Sequence, residues 1–313
     1  MPRTRIPDRV LTVAHERAAA RAARDWAEAD RLRAEIEAAG WKIVDRGTDF
    51  ALEPARPPTV ENAGTVRYGS SADVPSRLGE PPVGVATVVL VATDWPEDVR
   101  RTLAAVREHA PVGTSVVVVA DGASREQDAA LESLDDSVEI VRTTERLGTG
   151  AAWNIAIRRS AGPVVIVLDA SVEPAADVVT PLVGALDDPS VGVAGGFGIA
   201  SADLRRFEAA PAGDVTAIEA YAMAFRRDDA AERGPVDERF RFYRNLDIWW
   251  SLVLRDEGEG RPPRRAVALD LPLVRHEHRG WSSLPEAERD RLSKRNFYRI
   301  IDRFGTRRDL ATG

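Results

Sequence analysis

The chain of 313 residues has no cysteine, which excludes disulfides, thiolate zinc sites and a cysteine nucleophile. That absence fits a reducing compartment without requiring one. Long hydrophobic runs are missing as well. The longest apolar stretches, VGVATVVLVAT (83–93) and PVVIVLDA (163–170), fall far short of the roughly 20 residues a membrane-spanning helix needs. The arginines in MPRTRIPDRV precede no apolar segment, so no secretory signal is read there and the expected compartment is the cytoplasm. Positive charge is not in excess. The 43 Lys and Arg face 50 Asp and Glu, and a net charge of -7 argues against a protein that coats nucleic acid. Neither a low-complexity tract nor a fixed-period repeat is found.

What is present divides into segments of different texture. Residues 8–39 are rich in Ala, Arg and Glu, with Trp26, Leu32 and Ile36 at near-helical spacing and Gly40 placed to end the helix. WKIVDRGTDFALEP (41–54) alternates like two short strands around DRGTD, a hairpin pattern. Residues 1–55 are therefore expected to form a helical segment with a short hairpin. Residues 56–83, rich in Pro, Gly and Ser, read as an irregular linker.

From residue 84 apolar strands alternate with helices. ATVVLVA, SVVVVA, VEIVRT and VVIVLD are strands; PEDVRRTLAAVREHA, SREQDAALESL and GAAWNIAIRRSA are helices. Strands this apolar need cover on both faces, so the expectation is an α/β domain with a mostly parallel sheet over 84–280 and a helical extension over 281–313. In such sheets ligands bind beyond the carboxyl ends of the strands. Three strands end there in polar groups: Thr93 with Asp94, Asp121 with Gly122, and Asp169. A single carboxylate at a strand end is more often a cap or turn residue, but three on one rim mark a site.

The order of motifs resembles family-2 glycosyltransferases of the GT-A fold over residues 85–305. VVVVADGAS resembles the family strand whose acid contacts the nucleoside, and ERLGTGAAWNIAI its glycine- and asparagine-containing segment. VLDASVEP stands where the Asp-x-Asp motif belongs, and DDPSVGVAGG is similar to the strand that follows it. YAMAFRRDDAAERGPVDERFRFYRNLDIWWSLVLRDEG resembles the acceptor-side block. VRHEHRGWSS and KRNFYRIIDRFG resemble the closing His and Arg-Asn segments. The resemblance implies transfer of a sugar, with inversion, from a nucleotide-diphospho-sugar to a saccharide or lipid-linked acceptor. It implies donor contacts from Thr93, Asp94, Asp121, Gly122, Gly148, Asn154, Asp169 and Ser171. GTGAAWN also opens a helix, so its N–H groups could face an anion, although close helix packing explains its glycines equally well.

Two departures fall on the chemistry. Ser171 replaces the second acid of the metal motif, so a divalent cation, manganese or magnesium, is expected to bind weakly or not at all. Asp169 remains as a ligand, and His276 could add an imidazole; its plainer reading is a surface histidine. Arg244 and Asn245 occupy the place of the family's Glu-Asp pair, and an amide cannot act as a base. Asp247 is then the candidate base, against a plain role as N-terminal helix charge. Asp237 and Glu238 are expected to shape the acceptor loop, and Trp281 to contact acceptor. Most of the nearby aromatics, such as Trp249, Trp250 and Phe240, read as core. These departures also support an alternative: a lapsed GT-A fold that binds nucleotide, sugar or protein without turnover.

Residues 20–54 resemble the carboxyl-terminal end of cysteinyl-tRNA synthetases, with none of the synthetase's catalytic motifs. The segment's charges nearly cancel, which weakens a phosphate-binding reading. A partner protein or a second copy of the chain is its expected contact, and nucleic acid is not. The stretch ERDRLSKRNFYRIIDRFGTRR is basic and partly amphipathic, which would suit a peripheral membrane contact; its interspersed acids favour a solvated packing helix.

Overall fold

The computed structural model describes residues 6–312 apart from 47, 48, 56, 63, 136 and 259. The chain divides into two compact units, Met1–Thr65 and Val66–Gly313.

The first unit contains α1 (Asp8–Ala22), α2 (Trp26–Ala38), β1 (Trp41–Arg46), β2 (Asp49–Pro54) and β3 (Val60–Asn62). Asp25 caps α2 by accepting the N–H of Glu28, and Gly40, at φ +81°, ends it. Val10, Val13 and Ala14 of α1 pack on Leu32 and Ile36 of α2 and on Trp41 and Ile43 of β1. Trp26 does not join them. It opens α2 on the solvent side, 59% exposed, and Ala29 takes the inward position one turn before Leu32. β1 and β2 pair antiparallel as the hairpin pattern predicts; the centre of its turn, residues 47 and 48, lies outside the described residues.

The second unit opens on β4 (Thr65–Tyr68), followed by β5 (Ala86–Ala92), α3 (Pro96–His109), β6 (Thr114–Ala120), α4 (Arg125–Glu132) and β7 (Val138–Thr143). Next come α5 (Thr149–Arg159), β8 (Val164–Leu168), β9 (Val172–Pro174), α6 (Val179–Ala185), β10 (Val191–Gly195), β11 (Gly198–Ala200) and β12 (Glu208–Ala210). Then follow β13 (Gly213–Val215), β14 (Ala217–Ile218), β15 (Ala222–Arg226), α7 (Arg227–Arg233) and α8 (Leu246–Arg255). β16 (Arg265–Ala268), β17 (Leu273–Arg275), α9 (Arg279–Ser282) and α10 (Glu286–Phe304) complete it. The main sheet runs β13-β16-β10-β15-β8-β5-β6-β7-β4. β8, β5, β6, β7 and β4 are parallel, and β15 enters antiparallel between β8 and β10.

Period-2 alternation explains why these strands are apolar throughout. Ala86, Val88 and Leu90 of β5 face α3 through Val99 and Leu103, while Val89 faces α5 with Ile155 and Trp153. Each fully buried Val or Leu contributes about 1.5–3 kcal/mol of transfer free energy, so a polar residue on either face would be costly. The linker expectation for 56–83 needs correction. Within that stretch β3 and β4 form, and β4 adds a parallel strand beside β7 with Arg67 opposite Arg142. TVRY is too short and too polar to announce a strand by periodicity. The basic face of α10 is solvated while Asn296, Ile300 and Phe304 are buried, so its apolar stripe is spent on packing. Among the described residues no helix is long and apolar enough to cross a membrane.

Candidate functional site

A cavity of about 170 Å³ opens beyond the carboxyl ends of β5 and β8. Thr93, Asp94 and Trp95 line one side, Asp169 and Ser171 its base, and His278 the far side. β9 and β17 pair antiparallel, with Arg275 opposite Val172, and this ribbon carries the segment after β17 to the end of β8.

Asp169 is the best-furnished group in the cavity. Its Oδ1 accepts the backbone N–H of Ser171 at 2.8 Å and the Ser171 hydroxyl at 2.5 Å. Its Oδ2 lies 3.4 Å from His278 Nε2. Burial alone would lift the carboxyl, but the His278 and Ser171 contacts outweigh it and hold Asp169 below the usual range. His278 is itself fixed twice. Its Nδ1 accepts the N–H of Trp281 at 3.1 Å, which caps α9 and leaves the Nε2 proton for Asp169. The Tyr243 ring stacks on it at 4.5 Å.

The structure thus corrects the histidine. His276 Nε2 sits 2.7 Å from Glu173 Oε2, and its backbone N–H bonds Ser171 O. It does not reach Asp169, because β17 ends at Arg275 and the chain then turns into α9, presenting His278 instead. Among the described residues no group of three His, Asp or Glu could hold a metal ion. One carboxylate and one imidazole face each other here, with the Ser171 hydroxyl bonded to the carboxylate.

Of the other expected donor residues, Thr93 and Asp94 line the cavity, and Asp94 is held by Arg146 at 2.9 Å. Asp121, Gly122, Gly148 and Asn154 do not line it. Asp121 is 2% exposed and its two oxygens accept the N–H groups of Leu147 (2.7 Å) and Gly148 (2.9 Å). Burial pushes its carboxyl up, against the pull of those bonds. Gly122 (φ +56°) leaves no room for a Cβ, which would lie 2.3 Å from Arg146 N. The N–H groups of Thr149 and Gly150 donate to the carbonyls of Arg241 and Phe240, so the start of α5 is filled by its own chain rather than open to an anion. Asn154 brackets Val236, donating to its carbonyl and accepting its N–H, and donates to Glu238 Oε1. These residues frame the site from behind. Asp121→Asn, which sets an amide NH2 against an N–H donor, is expected to cost about 1–3 kcal/mol in urea unfolding. A loss under about 0.5 kcal/mol would show that the strap does not hold the loop.

The acceptor-side residues are also redistributed. Asn245, at φ +70°, turns its amide to the Ser293 carbonyl of α10 at 2.9 Å. Asn296 of α10 reciprocates by donating to the carbonyls of Phe242 and Arg244. Asp247 accepts the N–H of Ala220 on Oδ2 and that of Ile248 on Oδ1, and burial pushes its carboxyl above the usual range. Asp237 pairs with Arg239, which outweighs burial and keeps it low, and Glu238 accepts from Ser71 and Asn154. The Trp281 ring is half-buried, beside Phe242 at 6.4 Å with the Arg289 guanidinium 4.9 Å away. Trp249, Trp250 and Phe240 are core, as their pattern predicts. The sequence reading missed His278, Trp95 and Glu219. Trp95 is held at φ +59° before Pro96, an unusual conformation for a bulky residue and a mark of a constrained site edge.

Residues 87–239 match the family model described as Glycosyl transferase family 2. A solved structure of GalNAc-T7 with UDP, GalNAc and Mn2+ is 17% identical, with a TM-score of 0.55 over 70% of this chain and 48% of that one. A mannosyltransferase from Pyrobaculum calidifontis, in complex with GDP-Man and Mn2+, is 20% identical with a TM-score of 0.45 over 63% of this chain and 57% of that one. At the other end, a cysteine–tRNA ligase of Opitutus terrae is 47% identical over 55 residues, 18% of this chain and 12% of the ligase. The chain therefore spans about half of the GalNAc-T7 chain and a small fraction of the ligase. The fold of the second unit is the GT-A type that its motif order implies, and its residues 87–239 are similar to family-2 glycosyl transferases.

Proposed function

We propose that this chain transfers a sugar from a nucleotide-diphospho-sugar, with the donor's diphosphate docked at the cavity beyond β5 and β8. The observation that carries the reading is the position of Asp169, an ionised carboxylate at the end of β8, facing His278 across that cavity. Two like charges a few Å apart repel strongly in a part-dry site, so an ionised Asp169 beside a diphosphate needs positive charge between them. Asp169 would hold one divalent cation, and His278 would join it by giving up the Nε2 proton, since its Nδ1 already accepts the Trp281 N–H. When bound, such a cation stabilises the charge that develops on the leaving phosphate. Without it, His278 and Arg279 are the nearby cationic groups on the cavity wall. Thr93, Asp94 and Trp95 are then positioned to orient the donor, and Tyr243 holds the His278 ring in place. We read the acceptor as a saccharide or lipid-linked sugar and the outcome as inversion. The first unit is read as a docking element for a partner protein or a second copy.

A second reading has its own support. Ser171 occupies Asp169 Oδ1, and Asn245, at the usual base position, is spent on α10. A donor-binding protein without turnover would carry these features. Calorimetric titration with UDP and GDP, each with and without manganese, tests both. Binding that strengthens at least tenfold with manganese is the expected outcome, and release of nucleoside diphosphate from a bound donor separates transferase from binder. Absence of binding to either nucleotide under both conditions would reject the donor site.

A further inference from the structure

Glu219 lies just beyond β14, and its backbone N–H bonds the Phe197 carbonyl at 2.8 Å, which fixes the segment. The next two residues lead to the cavity: Ala220 lines it, and Tyr221 meets the His278 ring edge-on at 6.1 Å. Glu219 Oε1 is 3.7 Å from Arg244 Nη1, too long for a hydrogen bond, and neither oxygen accepts one among the described residues. Its side chain is 22% exposed, so the carboxylate is reachable but partly shielded. The two groups the motif alignment would favour are engaged elsewhere: Asp247 holds two backbone N–H groups, and the Asn245 amide faces α10.

We infer that Glu219, steered by Arg244 beside the cavity, is the general base that takes the proton of the acceptor hydroxyl. The inference rests on the glycosyltransferase reading of the same site. In the step, the acceptor O–H gives its proton to Glu219 and its oxygen bonds the anomeric carbon. The bond from that carbon to the phosphate oxygen breaks, and the nucleoside diphosphate leaves with the electron pair. Arg244 occupies a position where the resemblance puts an acid, and it supplies the counter-charge that points a relocated carboxylate. Burial first, and then the charge of Asp247, push the Glu219 carboxyl above its usual range, against Arg244 and Arg275. That brings its proton affinity closer to a neutral working pH, where a base is most effective.

The test uses the full chain with manganese and three donors, UDP-glucose, UDP-N-acetylglucosamine and GDP-mannose, with water as acceptor and release of UDP or GDP as the readout. Glu219→Gln is expected to bind UDP or GDP within about twofold of wild type while release falls at least about 100-fold. The acidic limb of the wild-type rate profile should vanish with it, because activity is lost as pH falls through the raised Glu219 value. Glu219→Asp should retain part of the rate. Glu219→Gln releasing nucleotide as fast as wild type overturns the assignment while the donor site stands, and so does donor binding with no release by wild type. Failure of wild type to bind UDP or GDP at all overturns the underlying reading, and this inference falls with it.

Discussion

Asp169→Ala is expected to lower nucleoside diphosphate release from a bound donor by about 10²–10⁴-fold, the range for losing a principal charge-stabilising element at the leaving group. The residue is the only one at the cavity base that combines an ionised carboxylate, two bonds from Ser171 and an imidazole at 3.4 Å. Removing it leaves His278 without its partner on Nε2 and takes one carboxylate from a cavity that Asp94 also lines. Donor affinity in manganese should fall with the rate, whereas affinity without metal should hold or rise, since repulsion of the diphosphate is relieved. Ser171→Asp provides the converse. A second carboxylate at that position should strengthen manganese binding about tenfold or more through an added hard oxygen ligand. If Asp169→Ala keeps wild-type turnover in manganese, the diphosphate is neutralised elsewhere and the donor pose is wrong.

Arg227→Ala is expected to lower unfolding stability by about 3–5 kcal/mol, the combined scale for depriving buried carbonyls of a donor and opening a large void. Arg227 is 1% exposed and has no carboxylate partner among the described residues. Its guanidinium instead donates to the carbonyls of Arg77, Glu80 and Ala161. Two of those carbonyls belong to the stretch that reads as linker, so one side chain gathers the path between β4 and β5 onto the body. Truncation takes the Glu80 carbonyl's donor and opens a void of arginine size, while the carbonyls of Arg77 and Ala161 keep the N–H groups of Glu80 and Val83. Arg227→Met separates the two causes, because it fills the volume without donating. A urea midpoint for Arg227→Met near wild type, with unchanged m, would mean that the desolvation of the guanidinium cancels its hydrogen bonds.

The fold was legible in the sequence wherever burial on both faces forces an apolar run. β5, β6 and β8 are of that kind, and among the helices between β5 and β8 α4 has its cap at Ser124. β4 was not legible, because its four residues, TVRY, are none of them fully buried and carry no apolar pattern. At the site, strand ends located Thr93, Asp94, Asp169 and Ser171, since a parallel sheet aims its carboxyl ends at one rim. Which histidine meets Asp169 depended on where β17 stops, and spacing carries no such information. Asp121 and Asn154 sat in the right motifs, yet side-chain bonds to backbone decide whether such a residue faces ligand or braces a loop. Those bonds are long-range and invisible to local reading. Glu219 had no motif and became visible only through its free oxygens beside Arg244.

The insertion of β15 between β8 and β10 has a kinetic consequence. β8 can find β5 early, but its other edge stays open until the chain has been extended through β9 to β14 and returned. β4 waits in the same way for β7. Pairings between such distant segments are slow, because loop-closure entropy is lost before contacts compensate for it. The first unit has no such delay, since α1, α2 and the β1–β2 hairpin pair with near neighbours in the chain and close their own apolar cluster. Refolding from urea should accordingly show a fast phase from the first unit and a slower one from the sheet. During the interval the exposed edge of β8 is where aggregation would begin.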